Sequence, residues 1–168
     1  MQESFDAFVA ARGSSLWRSA WLLTGDSGLA EDLVQTALAK AWPRFEKVSK
    51  RGSFEAYVRR TMFTTYATWW RRKWRGEQPT QTLPDRETAE PHESQSAAIR
   101  LDVQTALATL SPGQRAVVVL RYFDDLTETE TANQLGCSLG TVKTHHARAI
   151  RALRGSPLLQ MTEPEDAR

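Results

Sequence analysis

Three tryptophans and four basic residues share the fourteen positions of TTYATWWRRKWRGE, Thr64 to Glu77. Indole rings stack on unpaired bases, and Arg and Lys neutralise phosphates, so these types together could grip an unstacked nucleic-acid strand. The same letters also suit the buried end of a helix with a solvated basic rim. Helical spacing divides them. Phe54, Val58, Thr61, Met62, Thr65 and Trp69 fall on one stripe, which reads as core. Phe63, Trp70 and Trp74 lie nearly opposite, beside Arg59 and Arg71. Trp74 sits among Arg72, Lys73 and Arg75 at the expected helix end, so it is the ring assigned to the surface.

A second constellation lies in LTETETANQLGCSLGTVKTHHARAIRALR, residues 126–154. The spacing predicts two helices, 128–135 and one beginning after Ser138, with Gly136 as the left-handed residue between them. Val142, His146, Ala149, Ile150 and Leu153 are expected to face inward. Lys143, Thr144, Ala147, Arg148 and Arg151 are left outward, with His145 beside them. A short, polar, basic face near a helix N-terminus is what a major groove admits.

Other chemistry is not on offer. The sequence supplies no carboxylate pair, metal-ligand set or Gly-rich phosphate loop, and its three histidines are scattered. Cys137 is the single cysteine, so neither a disulfide nor a cysteine metal site can form within the chain. No catalytic residue, metal or cofactor is therefore expected.

The elements that must position these faces are all helical. At 40% apolar and 25% charged residues, the composition is that of a globular protein. Net charge is only +2, but it is unevenly spread. Residues 59–75 carry six cations and no acid, whereas 77–93 carry five acids and one Arg. Helical periodicity covers Ser4 to Leu23, then Leu29 to about Pro43, then Phe54 to about Arg75, with RFEKVSKRGS read as a basic loop. Asp26 or Ser27 is placed to cap the second helix. Prolines and acids interrupt the pattern from Glu77, which reads as a flexible linker, and it resumes at Ile99. Ser111 with Gln114, and Thr127 with Glu130, have capping-box spacing. The expected fold is all-α: a helical domain at 1–76, an acidic linker at 77–97, a helix-turn-helix domain at 98–155 and a disordered tail at 156–168. With no signal-peptide pattern and no apolar run of about 20 residues, a soluble cytoplasmic protein is expected.

The segment from Leu110 to Arg154 resembles region 4 of bacterial sigma factors. AEDLVQTALAKAW, residues 30–42, resembles region 2.2, and the helix from Phe54 resembles regions 2.3–2.4. Without region 1.1 or a region 3 domain, the layout is similar to the extracytoplasmic-function group, in particular a SigE-type branch of actinobacteria. The resemblance implies a protein that binds core RNA polymerase, through its β′ and β subunits, and directs initiation at promoters by recognising −35 and −10 elements. An anti-sigma factor is a further partner the family allows, although no residue here identifies one.

Carried onto this chain, the resemblance places polymerase docking on Asp32 and Gln35. It places −35 recognition on Thr141, Lys143, Thr144, His145, Ala147 and Arg148. The −10 element falls to Lys50, Arg51, Arg59, Arg60, Thr64, Arg71, Arg72, Lys73, Trp74 and Arg75. Many relatives carry Asn at the position of Thr64. TYATWW matches the promoter-melting tract of primary sigma factors letter for letter, but Tyr66 comes nine residues after Tyr57, where the helix opens. That is about two and a half turns, so the letters point elsewhere and the identity reads as coincidental. A stand-alone helix-turn-helix regulator is the rival reading; it leaves the DLVQ helix and the basic loop without a role.

Overall fold

The computed structural model describes residues 2–74 and 94–155, with side chains at 4–72 and 101–155. Most of the expected linker and all of the expected tail lie outside the described residues. Every regular element among those described is helical. In chain order they are α1 (Gln2–Thr24), α2 (Ser27–Ala41), α3 (Phe45–Ser49), α4 (Phe54–Trp74), α5 (Ser94–Ala108), α6 (Pro112–Val118), α7 (Glu128–Leu135) and α8 (Leu139–Arg154).

The ends of these helices follow from local chemistry. Asp26 caps α2, its Oδ1 accepting from the Leu29 amide at 2.8 Å. Ser111 with Gln114 and Thr127 with Glu130 each form the reciprocal capping box, satisfying donors that the first helical turn leaves open. Gly136 ends α7 at φ +66°. Ser138 then accepts from the Thr141 amide at 3.1 Å to open α8.

Two stretches differ from expectation. RFEKVSKRGS is not all loop, since Trp42–Arg44 forms a 3₁₀ turn and Phe45–Ser49 a further helical turn. Pro43 permits this by sitting early in the 3₁₀ turn, where its missing N–H costs nothing. A mesh of edge-to-face rings holds the corner. Phe5 meets Trp42 at 4.5 Å between centroids, and Phe45 meets Phe54 at 4.8 Å. In the C-terminal half the helix begins at Ser94, ahead of the Ile99 pattern. α6 also runs on into a π-helical turn, Val119–Phe123, closed by the Asp124 amide on the Val119 carbonyl at 3.1 Å.

One buried cluster joins both halves. It runs from Leu16, Leu33, Met62 and Phe63 to Leu107, Val119, Leu120 and Ala149. α4 packs against α2 on one side, where Lys40 donates to the Thr65 hydroxyl at 3.1 Å. It also packs against α6 and α7. This second contact covers Phe63, which lies nearly opposite the stripe read as core: the ring is 0% exposed, and Tyr66, one turn on, is also buried. Both sides of α4 are apolar because both are covered.

Polar contacts tie the halves together at the end of α1. The guanidinium of Arg115 is buried, and its Nε donates to the Leu22 carbonyl at 2.7 Å. Gln104 Nε2 donates to the Trp21 carbonyl at 2.8 Å. These carbonyls belong to the last turn of α1, where Trp21 also accepts from the Gly25 amide at 2.8 Å and the helix dipole is negative, so a cation there is favoured. Gly25 makes the approach possible. It takes φ +72°, and a Cβ on it would lie 3.1 Å from Gln104 Oε1 and 3.3 Å from Arg115 Nη2.

Candidate nucleic-acid interface

Three surfaces carry the residues singled out from sequence. On α8, Lys143, Thr144, Ala147, Arg148 and Arg151 are all exposed and line one shallow concavity. Two cap interactions set its upper rim. The Thr141 hydroxyl lies 2.9 Å from the Ser138 hydroxyl, and Thr144 donates back to the Gly140 carbonyl at 3.0 Å. Val142 and Ala149, on the other side, are fully buried. The helix therefore stands on an apolar stripe and presents a basic one.

His145 departs from this pattern. Its ring is half-buried against the start of α6, where a Cβ on Gly113 would fall 2.9 Å from Cε1. It does not face outward with Lys143 and Thr144. The absent side chain of Gly113 admits the imidazole, a pairing 32 residues apart that helical periodicity within α8 cannot reveal. His146, expected to face inward, is half-buried and stacks on the exposed ring of Tyr122, with Nε2 2.7 Å from its hydroxyl.

The second surface is the corner between α3 and α4. Arg44, Lys47 and Arg51 converge on a cleft floored by Val48 and closed by Gly52 and Ser53. The Ser53 hydroxyl caps α4, accepting from the Ala56 amide at 3.2 Å. Lys50 is exposed nearby but does not line the cleft. Arg44 was missed from sequence because it falls in the 3₁₀ turn that brings it beside Lys47.

Along α4, Arg60, Thr64 and Arg71 are exposed and share one stripe at helical spacing, with Arg72 exposed beside it. Thr64 donates to the Arg60 carbonyl at 2.8 Å. Arg59 is elsewhere. Its side chain is only 14% exposed, and its fork is occupied by Ser15 at 2.7 Å, Ser19 at 3.0 Å, Glu55 at 3.3 Å and Asp124 at 3.2 Å. Ser19 in turn donates to the other Asp124 oxygen at 3.1 Å. In this structure Arg59 thus belongs to the junction between the halves and not to the exposed stripe. The side chains of Lys73 and Trp74, and all of Arg75, lie outside the described residues. Trp69 is half-buried against the core, and Trp70 packs edge-on to Tyr66 at 6.2 Å.

The third surface is on α2. Asp32 and Gln35, one turn apart, are exposed, while Leu33 and Leu38 beneath them are buried.

Burial shifts two groups near the junction. It pushes the Tyr66 hydroxyl up to about 12, partly countered by the Arg115 guanidinium and by Trp70. It also raises the Asp124 carboxyl, against the pull of Arg59 and Ser19.

Comparison with known proteins places these surfaces in a family. Residues 8–76 match the model for Sigma-70 region 2, and residues 100–153 match Sigma-70, region 4. The RNA polymerase sigma-E factor of Streptomyces coelicolor is 40% identical over 151 residues, covering 89% of this chain and 84% of the relative. The ECF RNA polymerase sigma factor SigL of Mycobacterium tuberculosis is 36% identical over 147 residues, covering 83% and 80%. The fold is shared with the sigma factor RpoE of Bartonella quintana, solved in complex with the anti-sigma factor NepR, at a TM-score of 0.71 and 22% identity over 96% of this chain and 99% of that one. Among the described residues, no helix is long and apolar enough to cross a membrane. With both sigma-70 regions matched in order and relatives aligned along most of their length, the chain belongs to the extracytoplasmic-function group of RNA polymerase sigma factors.

Proposed function

We propose that this sigma factor works in the cytoplasm as a non-catalytic specificity subunit whose three surfaces divide the work. Asp32 and Gln35 dock on core RNA polymerase, which performs the chemistry. The exposed face of α8 enters the major groove of the −35 element, with Lys143 and Arg148 reaching base edges or phosphates and Thr144 and Ala147 close enough for apolar contact. The cleft of Arg44, Lys47 and Arg51, with Arg60, Thr64 and Arg71 along α4, tracks the melted −10 strand. Lys73, Trp74 and Arg75 extend that basic stripe in sequence. An anti-sigma factor remains the further partner expected from the family resemblance.

The observation that carries this reading is the α8 face, where five outward residues line one concavity at the capped start of a helix that follows a left-handed glycine turn. A stand-alone regulator would need no exposed Asp32–Gln35 face and no region 2 bundle. Run-off transcription with reconstituted core polymerase and a genomic fragment library tests the proposal. Discrete start sites that depend on this chain are the expected result. Sequence-specific DNA binding without polymerase-dependent transcripts would return the protein to the regulator class.

A further inference from the structure

We propose that His145 is a positioning residue for promoter recognition: its ring, seated against Gly113, sets the angle at which α8 meets the −35 duplex, a role that rests on the functional reading above. Gly113 occupies the first turn of α6. Glycine is a poorer helix former than alanine, and this one has no need of the left-handed backbone, which among the described glycines only Gly25 and Gly136 adopt. What Gly113 supplies is the space of a missing side chain. A Cβ there would lie 2.9 Å from Cε1 of His145, 3.0 Å from Nε2 and 3.4 Å from Nδ1. Three ring atoms thus press on one backbone position. Nδ1 is buried and finds no hydrogen-bond partner among the described residues, so at that atom packing, not a polar contact, holds the ring.

The place of His145 along α8 gives this seat its leverage. Val142, three residues before, is buried with Val117 and Ala132; Ala149, four residues after, joins the main core. Those apolar contacts are non-directional and resist rolling of the helix only weakly. A ring in a hole one residue wide does resist it, because a roll drives the ring into the α6 backbone. Thr144 directly precedes the ring and Arg148 lies about one turn beyond, both on the exposed concavity. Their reach to base edges is therefore set by how deeply His145 sits. Contacts of this kind need placement within about 0.5 Å. With a Cβ on Gly113, the ring would have to retreat by about that much merely to restore ordinary van der Waals contact.

The test uses the full chain reconstituted with core polymerase, on a promoter fragment recovered by the run-off assay and on the same fragment with its −35 element scrambled. The ratio of the two affinities is the readout, because loss of folded protein lowers both alike and cancels. Gly113→Ala should lower that ratio about tenfold, the discrimination of one good base contact. Gly13→Ala is the control: in the middle of α1 a Cβ would meet only Val9, at 3.9 Å, and the ratio should hold. His145→Ala, which empties the seat, should also lower it. Combined, Gly113→Ala and His145→Ala should lose no more than the worse of them alone, since both act on one contact. Losses that multiply, or a ratio untouched by Gly113→Ala, overturn the proposal.

Thermal melts of the same variants without DNA test the seat itself. Gly113→Ala should lower the melting temperature when His145 is present and should no longer do so beside His145→Ala. Equal effects in both backgrounds overturn the contact. If no fragment gives polymerase-dependent transcripts, the functional reading has failed and takes the positioning role with it. The melts distinguish that failure, since they judge the seat alone.

Discussion

Asp124 sits beside a guanidinium, yet its carboxyl holds a proton more tightly than an ordinary aspartate, because burial outweighs the pull of Arg59 and Ser19. The sign of the pH effect follows. With the folded pKa raised, this group's stabilising contribution is complete below the ordinary value of 3.8 and is lost as pH rises through the folded value. At neutral pH the ionised form costs more in lost hydration than its partners return, the usual situation for a buried ion pair. Asp124→Asn is therefore expected to melt at or above wild type at pH 7, and the difference should shrink as pH falls below the carboxyl's raised pKa. Paired thermal melts across that range check it; a neutral-pH destabilisation that grows on acidification would contradict the assignment. Phe63 provides a second test at this scale. Fully buried between two helical layers, its truncation to Ala should cost about 3–5 kcal/mol, and the half-buried Trp69 less. Urea melts of the two variants rank them. The opposite order would mean that the C-terminal half does not cover α4 in solution.

At the scale of elements, α8 and α2 carry predictions that should be independent. Lys143→Ala and Arg148→Ala are expected to weaken −35 recognition by roughly 1–3 kcal/mol for each side chain that makes a good base contact. Polymerase binding should be unchanged. Asp32→Lys should do the converse, lowering polymerase affinity in a chain whose helicity is intact, since Asp32 is exposed on α2. Titrations with core polymerase and with promoter fragments separate the two, and an effect that crosses over would unseat the division of surfaces. The elements themselves were largely legible in the sequence, for a local reason. Caps and turns are settled by residues three apart, so Ser111 with Gln114, Thr127 with Glu130, Gly136 and Ser138 declare themselves. What was not legible depends on distant partners. Arg59 finds Ser19 and Asp124 at separations of 40 and 65 residues. His145 finds Gly113 across a helix junction, and Phe63 finds its cover in the other half of the chain. A helix apolar on two sides gives no one-sided stripe from which that cover could be inferred. α3 was hidden for another reason, since five residues are too few to establish a period.

For the whole molecule, cations held inside the junction and cations left outside it are expected to meet DNA differently. The junction removes Arg59 from solvent, but Lys143, Arg148 and Arg151 remain on an outward concavity. On the proposed reading, that face condenses on duplex of any sequence and displaces counterions as it does so. Its logarithmic affinity for nonspecific duplex should fall linearly with the logarithm of salt concentration. Removing Lys143 should flatten that slope by about 0.9, the share of one phosphate contact. Anisotropy titrations over a salt series measure it, and an unchanged slope would mean that Lys143 is not among the contacts. An α8 face that holds duplex in this way would let the protein diffuse along the chromosome in one dimension before any strand is melted.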